Sequence, residues 1–241
     1  MEDKAYKLLA VQEGITNRSA KDLIDKGVVY ARGKKITVAR AMIDVRTNFR
    51  VEELQRIRKI FEDENLIAVD KPAFITSEQI SKKFKTPLLH RLDKETSGVL
   101  LLVKNEEFQK EAIETFRTHK VLKSYEAWVR GRVAESFEIN QPILTIKKGK
   151  TAYSRVSPKG KEAITFVEPL EIDGKFSKVK VTIKTGRTHQ IRVHLAHEGL
   201  PIVGDVTYGG RSAKRVLLHA KKIELQGYSF EAPTPKDFKI F

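Results

Sequence analysis

The feature that most narrows the folds open to this chain is an alternation of apolar and polar residues, recurring from Leu66 onward with a period of two. Tyr125-Glu126-Ala127-Trp128-Val129 and Val179-Lys180-Val181-Thr182-Ile183 place every second side chain on one face, the pattern of half-buried antiparallel strands. Leu66-Ile67-Ala68-Val69, Val99–Val103 and Val216–Leu218 with Ile223 and Leu225 add further strand candidates. Helical spacing is scarcer: Phe108, Ala112, Ile113 and Phe116 share one face, as do Ile191, His194, Leu195 and Glu198 before the stop at Gly199 and Pro201. The expected class is α+β with a mixed, mainly antiparallel sheet. Neither a repeat of a few dozen residues nor a low-complexity tract interrupts it.

The N-terminal part reads differently. Tyr6, Leu8 and Leu9 precede Ile15-Thr16-Asn17-Arg18-Ser19, and a helical stretch Ala20–Lys26 with Leu23 and Ile24 ends at Gly27. Val28-Val29-Tyr30 and Ile36-Thr37-Val38 read as short strands around the basic turn Arg32-Gly33-Lys34-Lys35. A charged connector, Glu52–Arg58, separates this segment from the rest, so domains are expected over 1–52 and 53–241. Residues 1–50 hold 11 Lys and Arg against 6 Asp and Glu, about twice the positive charge density of the remainder.

Over the whole chain 46 Lys and Arg face 31 Asp and Glu, a formal charge of +15 that calls for a polyanionic partner, nucleic acid being the commonest. The chain has no cysteine, which excludes disulfide scaffolds, thiol nucleophiles, Cys-based zinc sites and base chemistry that proceeds through a thiolate. No segment approaches the ~18 uncharged apolar residues of a membrane span. Met1-Glu2-Asp3-Lys4 does not open a secretory signal. A cytoplasmic monomer that binds nucleic acid and no membrane is expected.

Two segments carry chemistry. His90-Arg91-Leu92-Asp93-Lys94-Glu95-Thr96-Ser97-Gly98 is a polar loop feeding an apolar strand, a frame on which a carboxylate can be held rigidly. Gly186-Arg187-Thr188-His189-Gln190-Ile191-Arg192-Val193-His194-Leu195 sets arginines and histidines at a helix entry, where donors can converge on an anion. Taken singly, either is equally well a loop ion-pair network or a helix cap. His189, His194 and His197 are a weak candidate for a metal site, since apart from Glu198 no Cys, Asp or Glu follows at zinc spacing, and no metal is expected. The chain has neither a G-x-x-x-x-G-K-[ST] loop nor a G-x-G-x-x-G turn, so no nucleotide or redox cofactor is expected. Trp128, Phe116 and Phe166 read as core. Lys147-Lys148-Gly149-Lys150 and Lys159-Gly160-Lys161 are basic turns able to touch an RNA backbone.

Together these segments resemble the RluA family of RNA pseudouridine synthases. The likeness rests on Val69-Asp70-Lys71-Pro72, on His90-Arg91-Leu92-Asp93 with Thr96-Ser97-Gly98, on Lys123-Ser124-Tyr125-Glu126-Ala127, and on Gly186–Leu195 followed by Pro201-Ile202-Val203-Gly204-Asp205 and Tyr208-Gly209. Asp70 stands where Asn is commoner, and Phe74-Ile75-Thr76 replaces a Gly-containing turn. The resemblance implies that Asp93 is the catalytic carboxylate, acting as a nucleophile at the anomeric carbon or as the base that removes a ribose proton. It implies that Arg192 pairs with Asp93, with Arg187 as the alternative partner, and that Tyr125 stacks on the flipped uracil and takes the proton from the rebuilt carbon. Arg91 would fill the gap left by the extruded base, with His90 and Arg187 also at the RNA; a phosphate contact is the plainer reading of Arg91. The family uses no metal or other cofactor.

Residues 3–52 are similar to the small S-four-type RNA-binding domain, whose helix and following turn face RNA. That places Arg18, Lys21, Arg32, Lys34 and Lys35 as RNA contacts, although Ala31-Arg32-Gly33 replaces the usual Asn-Gly turn. A basic cap on the main domain is the competing reading. For the whole chain, a catalytically silent RNA-binding or ribosome-assembly protein would explain the charge but not Asp93, Tyr125 and Arg192 together. A glycoside hydrolase would need a second placed carboxylate. The substrate expected is ribosomal or transfer RNA, with the large-subunit ribosomal RNA favoured by the N-terminal segment.

Overall fold

The structure, a computed structural model, describes residues 1–52, 56–149 and 151–240, with Lys148 and Thr151 described in their backbone. The chain divides into two compact units, Met1–Arg56 and Ile57–Phe241. Part of the expected connector, residues 53–55, lies outside the described residues.

The first unit runs β1 (Glu2–Lys4), α1 (Ala5–Glu13), α2 (Asn17–Asp25), β2 (Val29–Ala31), β3 (Lys34–Lys35), β4 (Met42–Asp44) and β5 (Phe49–Val51). Helix α2 starts three residues before the expected Ala20, because the Thr16 hydroxyl caps it by accepting the Ser19 amide at 3.1 Å. Helix α1 lacks a clear apolar period and was not expected; it buries Ala5, Leu9 and Ala10, and Gly14 ends it in a left-handed conformation, φ 63°. The basic turn is shorter than expected. Arg32 and Gly33 alone form it, with φ of 49° and 74°, the two-residue turn whose twist suits a hairpin. Lys34 and Lys35 continue as β3 against β2, and Ile36–Val38 is not a strand. Leu9, Ala20, Ile24, Val29 and Phe49 make this unit's core.

The second unit runs β6 (Arg58–Glu62), β7 (Leu66–Lys71), α3 (Ser77–Phe84), β8 (Ser97–Val103), α4 (Glu106–Arg117), β9 (Leu122–Arg130), β10 (Phe137–Asn140), β11 (Ile143–Lys148), β12 (Thr151–Val156), β13 (Ile164–Asp173), β14 (Phe176–Ile183), α5 (Gln190–His197), β15 (Leu218–Leu225) and β16 (Tyr228–Glu231). Eight of the strands lie in the order β10-β13-β14-β9-β15-β8-β7-β6, and β16 pairs with β15. Every pairing is antiparallel except that of β15 with β8, where His219 and Ala220 face Ser97 and Gly98. A β-carbon on Gly98, whose φ is 116°, would collide with the Ala220 carbonyl, so this close approach needs glycine. Strands β11 and β12 form a separate hairpin.

Strand β14 alternates as expected, burying Ser177, Val179, Val181 and Ile183. Strand β9 does not, since both its faces are covered: Tyr125, Ala127 and Val129 enter the main core while Trp128 packs with Val203, Leu217 and Phe238. The half-buried expectation fails there because the sheet carries apolar layers on both sides. Strand β8 is likewise buried throughout, Leu100 and Leu102 on one side and Val99 and Leu101 on the other, each such leucine contributing about 1.5–3 kcal/mol. Phe166, expected in the core, is 39% exposed on β13. Helix α3 was also unforeseen; its capping box pairs the Thr76 hydroxyl with the Gln79 amide at 3.2 Å and the Thr76 amide with Gln79 Oε1 at 2.9 Å. Among the described residues no helix is long and apolar enough to cross a membrane.

Candidate active site

The loop between α3 and β8 is held from beneath. The Leu92 amide donates to Ser77 Oγ at 3.0 Å, and that hydroxyl donates back to the Leu92 carbonyl at 3.1 Å. Lys71, fully buried at the end of β7, donates to the carbonyls of Pro72, Ile75 and Lys94 at 3.0, 2.7 and 3.4 Å; burial lowers its pKa to about 7. The Phe74 amide reaches the same Lys94 carbonyl at 2.7 Å. Phe74 adopts φ 69° to do so, the left-handed conformation that a glycine would occupy without strain. Between these anchors stands Asp93, its side chain one-quarter exposed and its carbonyl accepting the Thr96 amide at 3.1 Å.

Helix α5 brings the cation. Gln190 fixes the helix start, accepting from the Thr185 hydroxyl at 2.8 Å and the Arg187 amide at 3.0 Å and donating to the Ile164 carbonyl at 3.0 Å. Two residues on, the buried Arg192 donates from Nε and Nη2 to the two carboxylate oxygens of Asp205, at 2.6 and 2.9 Å. Its remaining nitrogen, Nη1, donates to Asp93 Oδ2 at 3.3 Å. Burial opposes the arginine charge, but the Asp205 hydrogen bonds and the charges of Asp205, Asp93 and Glu95 outweigh it and raise its pKa above the ordinary range. Arg187 is not the partner of Asp93, because its Nε is bonded to the Glu162 carbonyl at 2.8 Å.

Tyr125 lies in the middle of the sheet, 9% exposed, and its hydroxyl makes no hydrogen bond among the described residues. Burial, and then the charge of Asp93, pushes its pKa well up. His189 faces Asp93 from the other side, with Nε2 3.9 Å from Oδ1, too far for a hydrogen bond. Burial lowers its pKa, with Arg192 adding to the effect against the pull of Asp93. Its Nδ1 lies 2.8 Å from the Tyr208 hydroxyl, which accepts the Ser154 amide at 3.0 Å. A carboxylate held by a guanidinium clamp thus lies close enough to a buried, unengaged phenol to act on it electrostatically, an arrangement suited to acid–base or nucleophilic work at a sugar.

Residues 65–197 match the family model described as RNA pseudouridylate synthase, more than half the chain and the span that holds Asp93, Tyr125 and Arg192. The chain belongs to that family. The synthase is 53% identical over 242 residues to a Helicobacter pylori (strain J99) protein described as an uncharacterized RNA pseudouridine synthase, covering 99% of this chain and 100% of the relative. It is 27% identical to a Pasteurella multocida (strain Pm70) protein described as ribosomal large subunit pseudouridine synthase D, over 90% of this chain and 83% of that one. A solved structure of human RNA pseudouridylate synthase domain containing 1 superposes with a TM-score of 0.66 at 26% identity, covering 78% of this chain and 86% of that one.

The other expected site residues of the synthase are placed unevenly. Arg91 is at the surface, its side chain 74% exposed and ion-paired with Glu78 at 2.8 Å. His90 is turned into the scaffold: its Nε2 accepts the Leu101 amide at 3.2 Å, its ring lies 5.9 Å from that of Phe116, and burial lowers its pKa to about 4. His194 spends both nitrogens on Thr165 Oγ1 and the Gln141 carbonyl, at 2.8 and 2.9 Å, and has neither free for a metal. In the first unit Arg18, Arg32 and Lys34 are exposed, while Lys21 lies 4.2 Å from the centre of the Tyr6 ring and Lys35 5.6 Å from that of Tyr30. Lys147, Lys159 and Lys161 are exposed; Lys150 and the Lys148 side chain lie outside the described residues. Asp205 and Tyr208 were visible in the sequence only as motif members. The signal that would have singled out Asp205 is that a buried arginine needs a carboxylate of its own.

Proposed function

We propose that the chain isomerises uridine to pseudouridine at defined positions of structured RNA, with Asp93 as the catalytic carboxylate. The observation that carries this reading is the Asp93–Arg192 pair, anchored from behind by Asp205 and set beside the unengaged hydroxyl of Tyr125. In the isomerisation the bond from C1′ of ribose to N1 of uracil breaks, the base turns, and C1′ joins C5, which gives up its proton. Atoms balance without a co-reactant. Asp93 begins the reaction either by attacking C1′ or by removing a ribose proton, and Arg192 aims it in both cases. Tyr125 supports the uracil face and accepts the C5 proton. Burial raises the pKa of its phenol, which is therefore protonated at rest; it passes that proton to N1 as the glycosidic bond breaks, and the resulting phenolate takes the one on C5. Arg91 exchanges Glu78 for the RNA and fills the space of the extruded base, a role suited to a planar cation.

The exposed cations of residues 1–52 support an S-four-type contribution to RNA binding. The Pasteurella relative's printed name favours large-subunit ribosomal RNA as the substrate over transfer RNA. Tritium release from RNA labelled at C5 of uridine tests the reaction. Wild type is expected to release tritium and Asp93→Ala none; release by both, or by neither, overturns the reading. Comparing pseudouridine maps of RNA from cells with and without the gene then identifies the target.

A further inference from the structure

The hairpin β11–β12 is not used by the mechanism above, yet one of its side chains reaches the active site. The ring of Tyr153 stacks on that of Tyr208, with centroids 5.2 Å apart and planes inclined by 20°. Tyr208 is held in turn by His189 and by the Ser154 amide, and Arg192 lies 5.1 Å from its ring centre. With one face fixed against this anchored ring, Tyr153 is still 47% exposed. The stack beneath it holds the open face in a fixed orientation, ready for a second ring. Its surroundings select the ligand: residues 143–161 contain six Lys and Arg and no Asp or Glu, and Lys147, Arg155, Lys159 and Lys161 are exposed.

We propose that the open face of Tyr153 is a stacking subsite for a nucleobase flanking the uridine that is isomerised, with the hairpin cations taking the adjoining phosphates. The proposal rests on the isomerase reading and adds to it a place where the strand is gripped beyond the flipped base. Every base has a π-face, so the subsite positions the strand without demanding a particular neighbour. Because Tyr208 touches both Tyr153 and the Arg192 that holds Asp93, the gripped base belongs to the same short stretch of strand as the uridine at Asp93.

Two measurements test it. Short uridine-rich oligoribonucleotides carrying one 2-aminopurine beside a central uridine report stacking by fluorescence quenching, and C5-tritiated RNA reports turnover. Tyr153→Ala and Tyr153→Leu are expected to lose the quenching, to weaken oligonucleotide binding about tenfold, and to raise KM about tenfold with a smaller effect on kcat. Tyr153→Phe is expected to match wild type in both assays. Unchanged quenching and KM in Tyr153→Ala overturn the subsite, as does a leucine variant equal to the phenylalanine one, which would reduce the contact to bulk. Absence of tritium release by wild type overturns the isomerase reading instead, and the quenching assay then still decides whether Tyr153 stacks on RNA bases.

Discussion

Arg192 divides its donors unequally, and the division predicts two different phenotypes. Asp205, 1% exposed, takes two of its nitrogens, so Asp205→Ala leaves a buried guanidinium largely unpaired and is expected to cost about 3–5 kcal/mol in denaturant unfolding. Asp93 takes one nitrogen at a partly exposed position, so Asp93→Asn is expected to change stability by less than about 1 kcal/mol while abolishing tritium release. Tyr125→Phe removes a hydroxyl with no hydrogen bond to lose; its melting temperature should stay near wild type while single-turnover rates fall roughly 10²–10⁴-fold. His90 supplies a pH test. Its pKa in the fold is about 4, below the ordinary 6.5, so the unfolded chain binds the proton first and stability declines as pH falls from about 6.5 to about 4. His90→Gln keeps an acceptor for Leu101 and should flatten that decline by up to about 1.4 kcal/mol per pH unit, read from unfolding at a series of pH values. The charged pair was legible in the sequence because its motifs were. The fate of His90 was not, since a histidine beside a catalytic loop reads the same whether its ring faces the substrate or the scaffold.

At the scale of elements, the periodic ones were legible and the covered ones were not. Strand β14 shows its buried face in its spacing, and helix α4 does so in part: Phe108, Ala112 and Phe116 meet the core while Ile113, expected with them, is 53% exposed; α1 has little periodicity and α3 is announced only by Thr76 and Gln79. The sequence does not mark where the turn at Arg32-Gly33 ends, because Lys34 and Lys35 continue its basic character, while only the two residues with positive φ bend the chain. The site depends on one junction of this kind. Gly98 follows the Asp93 loop and lets β8 lie against the Ala220 carbonyl of β15. Gly98→Ala is expected to destabilise the fold by at least about 2–3 kcal/mol, seen as a lowered denaturant midpoint, and to reduce turnover with it.

For the molecule as a whole, the division between the units falls four residues beyond the expected boundary at Glu52, in a stretch whose charged composition gives no sharper cue. Each unit has its own core, so residues 57–241 are expected to fold alone. Loss of the N-terminal cations should weaken RNA binding and make the plot of log affinity against log salt shallower, by about 0.7–0.9 for each phosphate contact removed. An unchanged slope in filter binding would make the first unit a structural cap. The strand order also governs when activity can arise during synthesis. Asp93 follows β6 and β7 on one half of the sheet, and Tyr125, Arg192 and Asp205 belong with β9, β13 and β14 on the other; the strand between the halves is β15. A nascent chain whose residues 218–225 are still inside the ribosome carries two half-sheets with open edges, and Asp93 and Arg192 are then joined only by side chains packed across the gap, not by a continuous ladder. The enzyme therefore becomes competent late and all at once, when β15 zips the halves shut, and until then those bare edges are where a chaperone would be most needed.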